Sequence, residues 1–189
     1  MNSITIIGCG TLGSSLAYKL VSKSLDTDCK LKQLNLIDYD VIDIKNFPYL
    51  TMGIDNEWVN HYKVDVLKHI LTQINRSIEI STSIVKYSIT DSSKDDLNYI
   101  IDCRDNNEEC PCCNLKINCD GKFGMVNLKP QTKVSDGSSN YRFGNSRYYA
   151  DIFAGIVCNM IYSDEKIKGE KTHFVVTLDQ LAKENFNVF

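Results

Sequence analysis

The stretch SITIIGCGTLG, Ser3 to Gly13, decides the fold when it is read with LIDYDVIDIKN, Leu36 to Asn46. Ile4, Ile6 and Ile7 make a short β-branched strand that the glycines end, and Leu12, Leu16, Ala17, Leu20 and Val21 then recur at helical spacing. This predicts strand, turn, helix. In Gly8-Cys9-Gly10-Thr11-Leu12-Gly13 the first glycine permits a tight turn, the second lets a phosphate approach the backbone, and the third lets helix and strand pack closely. The start of the helix offers free N–H groups and the positive end of its dipole to an anion. Gly8, Gly10, Thr11, Leu12 and Gly13 are therefore candidate nucleotide-binding positions, with a purely structural turn as the alternative. After a polar surface connection from Ser22 to Gln33, a second buried strand of Leu34, Leu36 and Ile37 ends at Asp38, which completes a βαβ unit. A dinucleotide enzyme places its ribose-binding acid about 20 residues past the turn. Asp38 holds that structural place at a longer interval, and Asp40 follows it; either could instead only cap the strand end or make an Asx turn.

Beyond this unit, Val59, Tyr62, Val66, Leu67, Ile70, Leu71 and Ile74 trace one face of a second helix starting near Trp58, with Asp55 or Asn56 as N-cap. Ile78, Ile80 and the run Ile84 to Tyr87 predict one or two strands, and Tyr99, Ile100 and Ile101 another that stops at Asp102. From about 106 to 146 the pattern weakens into an irregular loop segment, with strand-like runs at Leu115–Cys119 and Met125–Leu128. Tyr149 to Ile161 predicts an amphipathic helix on which Gly155 would allow close packing on the sheet, and His173–Thr177 a last strand before a short C-terminal helix. The alternation predicts an α/β fold, a Rossmann-like three-layer sandwich with a mostly parallel sheet and helices on both faces.

The chain has 189 residues, which suits one compact nucleotide-binding domain over 1–189 better than two. At 43 % hydrophobic and 24 % charged residues, and with no run near the roughly 18 apolar residues of a membrane span, it reads as soluble, with no membrane partner. The first strand starts almost at the N-terminus, so no signal peptide and a cytoplasmic location are expected. The eight cysteines then read as free thiols or metal ligands more than as a disulfide framework. A net charge of -3 without a basic cluster argues against a nucleic-acid partner.

With these pieces in place the chain resembles the ThiF/MoeB/ubiquitin-activating family, as a short divergent member. That family combines a GxGxxG turn, a strand ending D-x-D-x-V, an Asn, a Lys that opens a helix, and a strand ending D-x-x-D-N. The corresponding residues are Asp38-Tyr39-Asp40-Val41, Asn46, Lys63 with Ile74-Asn75-Arg76-Ser77-Ile78, and Asp102-Cys103-Arg104-Asp105-Asn106. The resemblance implies ATP and Mg²⁺ as cofactors and adenylation of the C-terminal carboxylate of a ubiquitin-like or sulfur-carrier protein or peptide. It implies that Gly8, Gly10 and Gly13 hold phosphates, Asp38 the ribose, Asn46 and Lys63 phosphates, and Asp105 magnesium, with Lys63 and Asp105 as the catalytic candidates. It also makes a homodimer or larger assembly an expected arrangement.

The departures are specific. Where the family has an Arg-Gln pair after the Asn, this chain has Tyr49 and Leu50. Arg76, Arg104, Arg142 and Arg147 are candidate substitutes, but the sequence places none of them at the phosphate. The two Cys-x-x-Cys pairs that hold zinc in many relatives are not reproduced by Cys110, Cys112, Cys113 and Cys119, so zinc is not expected. No neighbouring His or helix start marks one of these thiols as an acyl acceptor. His61, His69 and His173 lack metal-ligand spacing. Two readings of function stand side by side: a small ATP-dependent adenylating enzyme, and a catalytically degenerate scaffold of the same fold. An NAD-linked oxidoreductase is a weaker third, because the D-x-D and D-N motifs have no task in hydride transfer.

Overall fold

The computed structural model describes residues 2–26, 31–46, 55–87, 98–105, 113–119, 123–127, 146–163 and 173–177. They form strand β1 (Ser3–Ile7), helix α1 (Thr11–Lys23), β2 (Gln33–Ile37), two short 3-10 turns (Ile44–Asn46 and Asn56–Trp58) and α2 (Lys63–Ile74). Next come β3 (Glu79–Ser83), β4 (Asn98–Asp102), β5 (Leu115–Cys119), β6 (Phe123–Asn127), α3 (Ser146–Tyr162) and β7 (His173–Thr177). The described strands join in one sheet of order β3-β2-β1-β4-β5-β6-β7. The first five of that order run parallel, and β6 and β7 add an antiparallel edge. This is the α/β, Rossmann-like fold that the sequence predicts. The predicted C-terminal helix lies outside the described residues.

Side-chain alternation along the strands explains the layers. Ile4, Ile6, Leu34, Leu36, Ile101, Leu115 and Ile117 point to one side, where Leu16, Leu20 and Val21 of α1, Leu67 and Leu71 of α2, and Phe153, Val157 and Ile161 of α3 close over them. The opposite side carries Ile7, Ile100 and Cys113, packed by Ile37 and Tyr87. It also carries a polar ladder in which Asn35 donates to Thr5 Oγ1 at 3.1 Å and accepts from Ser81 Oγ at 2.6 Å. The three described helices thus share one side, and the described residues hold no helix on the other.

Packing overrides propensity in α1. Gly13, Ser14 and Ser15 are weak helix formers, each costing up to about 1 kcal/mol. Leu16, Leu20 and Val21 are fully buried, and each such burial contributes about 1.5–3 kcal/mol. The core therefore holds a helix that its first turn would not form alone.

Three expectations are corrected. The second helix begins at Lys63 and not near Trp58: Asp55 caps only a 3-10 turn, after which Asn60 turns the chain with φ 69° and residues 60–63 pair with 40–42. In that pairing Ile42 N–H donates to His61 O, Asn60 N–H to Ile42 O, and Lys63 N–H to Asp40 O, at 2.8–3.0 Å. Ile84 and Val85 do not extend β3 but are exposed past its end. Among the described residues Gly155 makes no close approach, since a Cβ there would meet none of them within 4 Å. A further departure is chemical: Cys9, Cys103 and Cys158 carry reduced thiols, but Cys113 is disulfide-bonded.

Candidate functional site

Parallel register brings the candidate residues together. Ile7, the last residue of β1, is opposite Ile37 of β2 on one side and Asp102 of β4 on the other. The segments that leave these three strands therefore start at the same level of the same edge. Chain order reverses direction between β1 and β4, and in open parallel sheets the crevice at such a switch point is where ligands bind.

The glycine turn has the geometry that its residues require. Gly8 adopts φ 87°, a conformation that costs glycine little and other residues much. Its N–H donates to Ile37 O at 2.8 Å. A Cβ on Gly13 would lie 1.9 Å from Gly8 O, so strand end and helix start meet backbone to backbone. A Cβ on Gly10 would meet none of the described residues within 4 Å. The backbone surface at Gly10, at the start of α1, is thus open. Among the described residues no side chain caps that helix, and its first turn holds no acid, so the dipole's positive end and the first-turn N–H groups lie uncompensated by either. Thr11 is partly buried and Leu12 is buried in the core, so Leu12 can offer a ligand only its backbone.

Asp38 is the tie between turn and strand. It is 9 % exposed; Oδ2 accepts the Cys9 N–H at 2.6 Å and Oδ1 the Asp40 N–H at 2.9 Å. The structural and the ligand-binding readings of this residue are compatible, since each carboxylate oxygen has acceptor capacity beyond one bond. Asp40 pairs with Lys63, whose Nζ lies 2.8 Å from Oδ2 and whose side chain is 12 % exposed against 48 % for Asp40. Lys63 opens α2 and points its ammonium back at the D-x-D segment. Burial, then the charge of Asp38, pushes the Cys9 thiol far above its ordinary range. Burial does the same to Cys103, with Asp102 and then Cys9 adding to it. Neither thiol is a nucleophile in this state.

Asn46 and Asp105 stand further out. Asn46 closes its own 3-10 turn, accepting the Asp43 N–H at 3.0 Å, and no described contact joins it to the glycine turn. Lys45 shapes the same turn, and its N–H holds the exposed Asp43 carboxyl below the usual range. Asp105 is exposed just past β4, at the crevice edge. Asn75 has a structural task instead: its Nδ2 donates to Ser24 Oγ at 2.9 Å and so joins the end of α2 to the end of α1. Tyr49, Leu50, Asn106, Arg142, Cys110, Cys112 and the side chains of Cys119, Arg147 and His173 lie outside the described residues. His61 and His69 both pack on Trp58, with ring centroids at 5.8 and 5.3 Å.

The pairing of Asp102, Arg104 and Lys116 has no place in the sequence reading. Asp102 is fully buried, and its carboxylate takes Arg104 Nε at 2.9 Å, Arg104 Nη2 at 3.0 Å and Lys116 Nζ at 3.4 Å. Arg104 was legible as a cation in search of a place. Lys116 carried no signal, because only the β4 to β5 register sets it opposite Asp102.

No curated protein matches the sequence. Among solved structures, E. coli MccB superposes with a TM-score of 0.68 at 17% identity, over 93% of this chain and 59% of that one. PaaA superposes with a TM-score of 0.65 at 18% identity, over 94% of this chain and 61% of that one. A structure of E. coli MccB with ATP superposes with a TM-score of 0.63 at 17% identity, over 93% and 63%. The chain thus spans about three fifths of the length of these structural relatives. The likeness establishes the shared fold. The model of the ThiF family matches residues 1–114, which takes in the glycine turn, the D-x-D segment, Lys63 and the Asp102–Asn106 motif, and the chain belongs to the ThiF family.

Proposed function

We propose that this chain binds ATP with Mg²⁺ at the switch point and adenylates a carboxylate of a ubiquitin-like or carrier protein or a peptide. The observation that carries the reading is the glycine turn: an uncapped helix start, an open surface at Gly10 and an adjacent carboxylate at Asp38 form one continuous edge. Thr11, Leu12 and Gly13 would offer N–H groups to phosphate, Asp38 a ribose contact, and Lys63 a cation shared with Asp40. Asn46 would contribute to the phosphate end. Asp105 is the exposed carboxylate suited to a hard cation. Magnesium, when bound, supplies charge neutralisation on the triphosphate. The chain's own part is positioning and fixed electrostatics, which is most of what such a displacement asks of a protein. Structures of the relative MccB with ATP and with MccA support both the nucleotide and the second substrate.

The rival reading is a scaffold of the same fold without turnover. Tyr49 and Leu50 in place of the family's Arg-Gln pair favour it. Isothermal titration with ATP and Mg²⁺, followed by pyrophosphate–ATP exchange with candidate carrier proteins and peptides bearing a free C-terminus, separates the two. Binding with exchange is the expected result. Binding without exchange across the set would favour the scaffold, and no binding would overturn the nucleotide reading altogether.

A further inference from the structure

Arg104 lies against the glycine turn at Gly8. If Gly8 carried a Cβ, that atom would lie 3.0 Å from Arg104 Cγ and 3.1 Å from Arg104 N, so the stem of this arginine lies directly against the turn. Its guanidinium makes a two-pronged pair with buried Asp102, through Nε to Oδ1 and Nη2 to Oδ2. The Arg104 N–H also reaches Asp102 Oδ1, at 3.0 Å. Tyr87 fixes the third side. Its ring centroid is 5.4 Å from the guanidinium carbon, and its carbonyl oxygen is 3.5 Å from Nη1. The side chain is 15 % exposed, and its two-pronged pair with Asp102 depends on the planar fork that lysine lacks.

Gly8 is therefore enclosed. The Ile37 carbonyl takes its N–H, Gly13 presses on its carbonyl, and Arg104 backs its α-carbon. The last of these is the only one made by a charged side chain. The adjoining backbone is tied as well, since the Cys103 N–H donates to Ile7 O at 2.8 Å. The sequence from Asp102 to Asp105 thus joins the candidate magnesium carboxylate to the candidate phosphate turn through one arginine.

We propose that Arg104 is a positioning residue for the phosphate-binding turn: the Asp102–Arg104–Tyr87 arrangement sets the Gly8–Gly13 backbone in the orientation that receives the nucleotide's phosphates. This rests on the nucleotide reading for its purpose but not for its geometry. Lys116, the second cation on Asp102, keeps that carboxylate paired when Arg104 is replaced. The fold can therefore survive the substitution.

The test uses Arg104→Gln and the milder Arg104→Lys, which keeps the charge but loses the fork. In the ligand-free protein, amide hydrogen exchange at Gly8 and Cys9 should accelerate in both variants, while amides in the middle of α2 and α3 keep their rates. With ligand, ATP–Mg²⁺ affinity should fall about tenfold or more, the scale on which supporting-shell substitutions act, while adenosine, which has no phosphate, keeps its affinity. Unchanged exchange at the turn, or equal acceleration throughout the protein, would overturn the proposal. So would equal loss of ATP and adenosine affinity. If the unsubstituted protein binds neither ligand, the nucleotide reading fails, and the exchange pattern alone decides whether Arg104 sets the turn.

Discussion

Gly8 and Gly13 touch through their backbones: the carbonyl oxygen of one lies where the other's Cβ would be, at 1.9 Å. Gly13→Ala must push α1 off β1. Helix propensity returns only about 1 kcal/mol, against a steric cost of about 3 kcal/mol for overpacking. Urea denaturation should show a net loss near the difference or larger. Gly10→Ala, where a Cβ meets none of the described residues, should cost less than about 1 kcal/mol and yet weaken ATP binding. If the two substitutions destabilise alike, the division of tasks between these glycines is wrong.

Asp38→Ala separates a structural from a purely ligand-facing carboxylate. Two N–H groups lose a charged acceptor, from Cys9 and Asp40, and such bonds contribute about 1.5–3 kcal/mol each. Ligand-free stability should therefore drop by about 3 kcal/mol or more. A variant as stable as the parent protein would show that Asp38 does not hold the turn.

Lys63→Met should behave the other way round. The Lys63–Asp40 pair is half open to solvent on the Asp40 side, which limits its contribution to about 1 kcal/mol or less. A phosphate contact from the same ammonium is charge-assisted, and its loss should weaken ATP binding about tenfold or more. Calorimetry on the variant beside its thermal melt checks both halves.

Alkaline pH tests the buried thiol in the turn. Cys9 has its pKa raised above the ordinary 9.0, by burial first and by Asp38 second. The unfolded chain ionises this thiol above that ordinary value while the folded chain does not. The stability it lends is therefore complete below the ordinary value and is lost as pH rises past it. The slope is at most about 1.4 kcal/mol per pH unit for one group. Between about pH 8 and about pH 10 the parent protein should lose more stability than Cys9→Ala; parallel curves would remove Cys9 from the linkage.

What the sequence made legible was local. Ile4 to Gly13 carried its strand, turn and helix because each residue's conformational preference agreed with its neighbours, and Asp38 at a strand end had few other places to be. The helix start near Trp58 was misread because Val59 and Tyr62 continue the apolar period, whereas the pairing of residues 60–63 with 40–42 is a tertiary contact that ends it. Gly155 was misread for a similar reason: a glycine on an amphipathic helix suggests contact, and only the packed structure shows that no described residue makes it. The Asp102, Arg104 and Lys116 cluster depends on a strand register between β4 and β5, which no local pattern encodes. Family likeness supplied the roles proposed for Lys63 and Asp105. Physical pattern alone would have stopped at a phosphate-binding turn.

The most direct measurement is a thermal-shift comparison of ATP–Mg²⁺ with NAD on the parent protein and on Gly10→Ala. A switch point built for an adenylating nucleotide predicts a rise in melting temperature with ATP–Mg²⁺, a smaller one or none with NAD, and loss of the ATP effect in Gly10→Ala. No shift with ATP–Mg²⁺, or an equal shift that persists in Gly10→Ala, would contradict it.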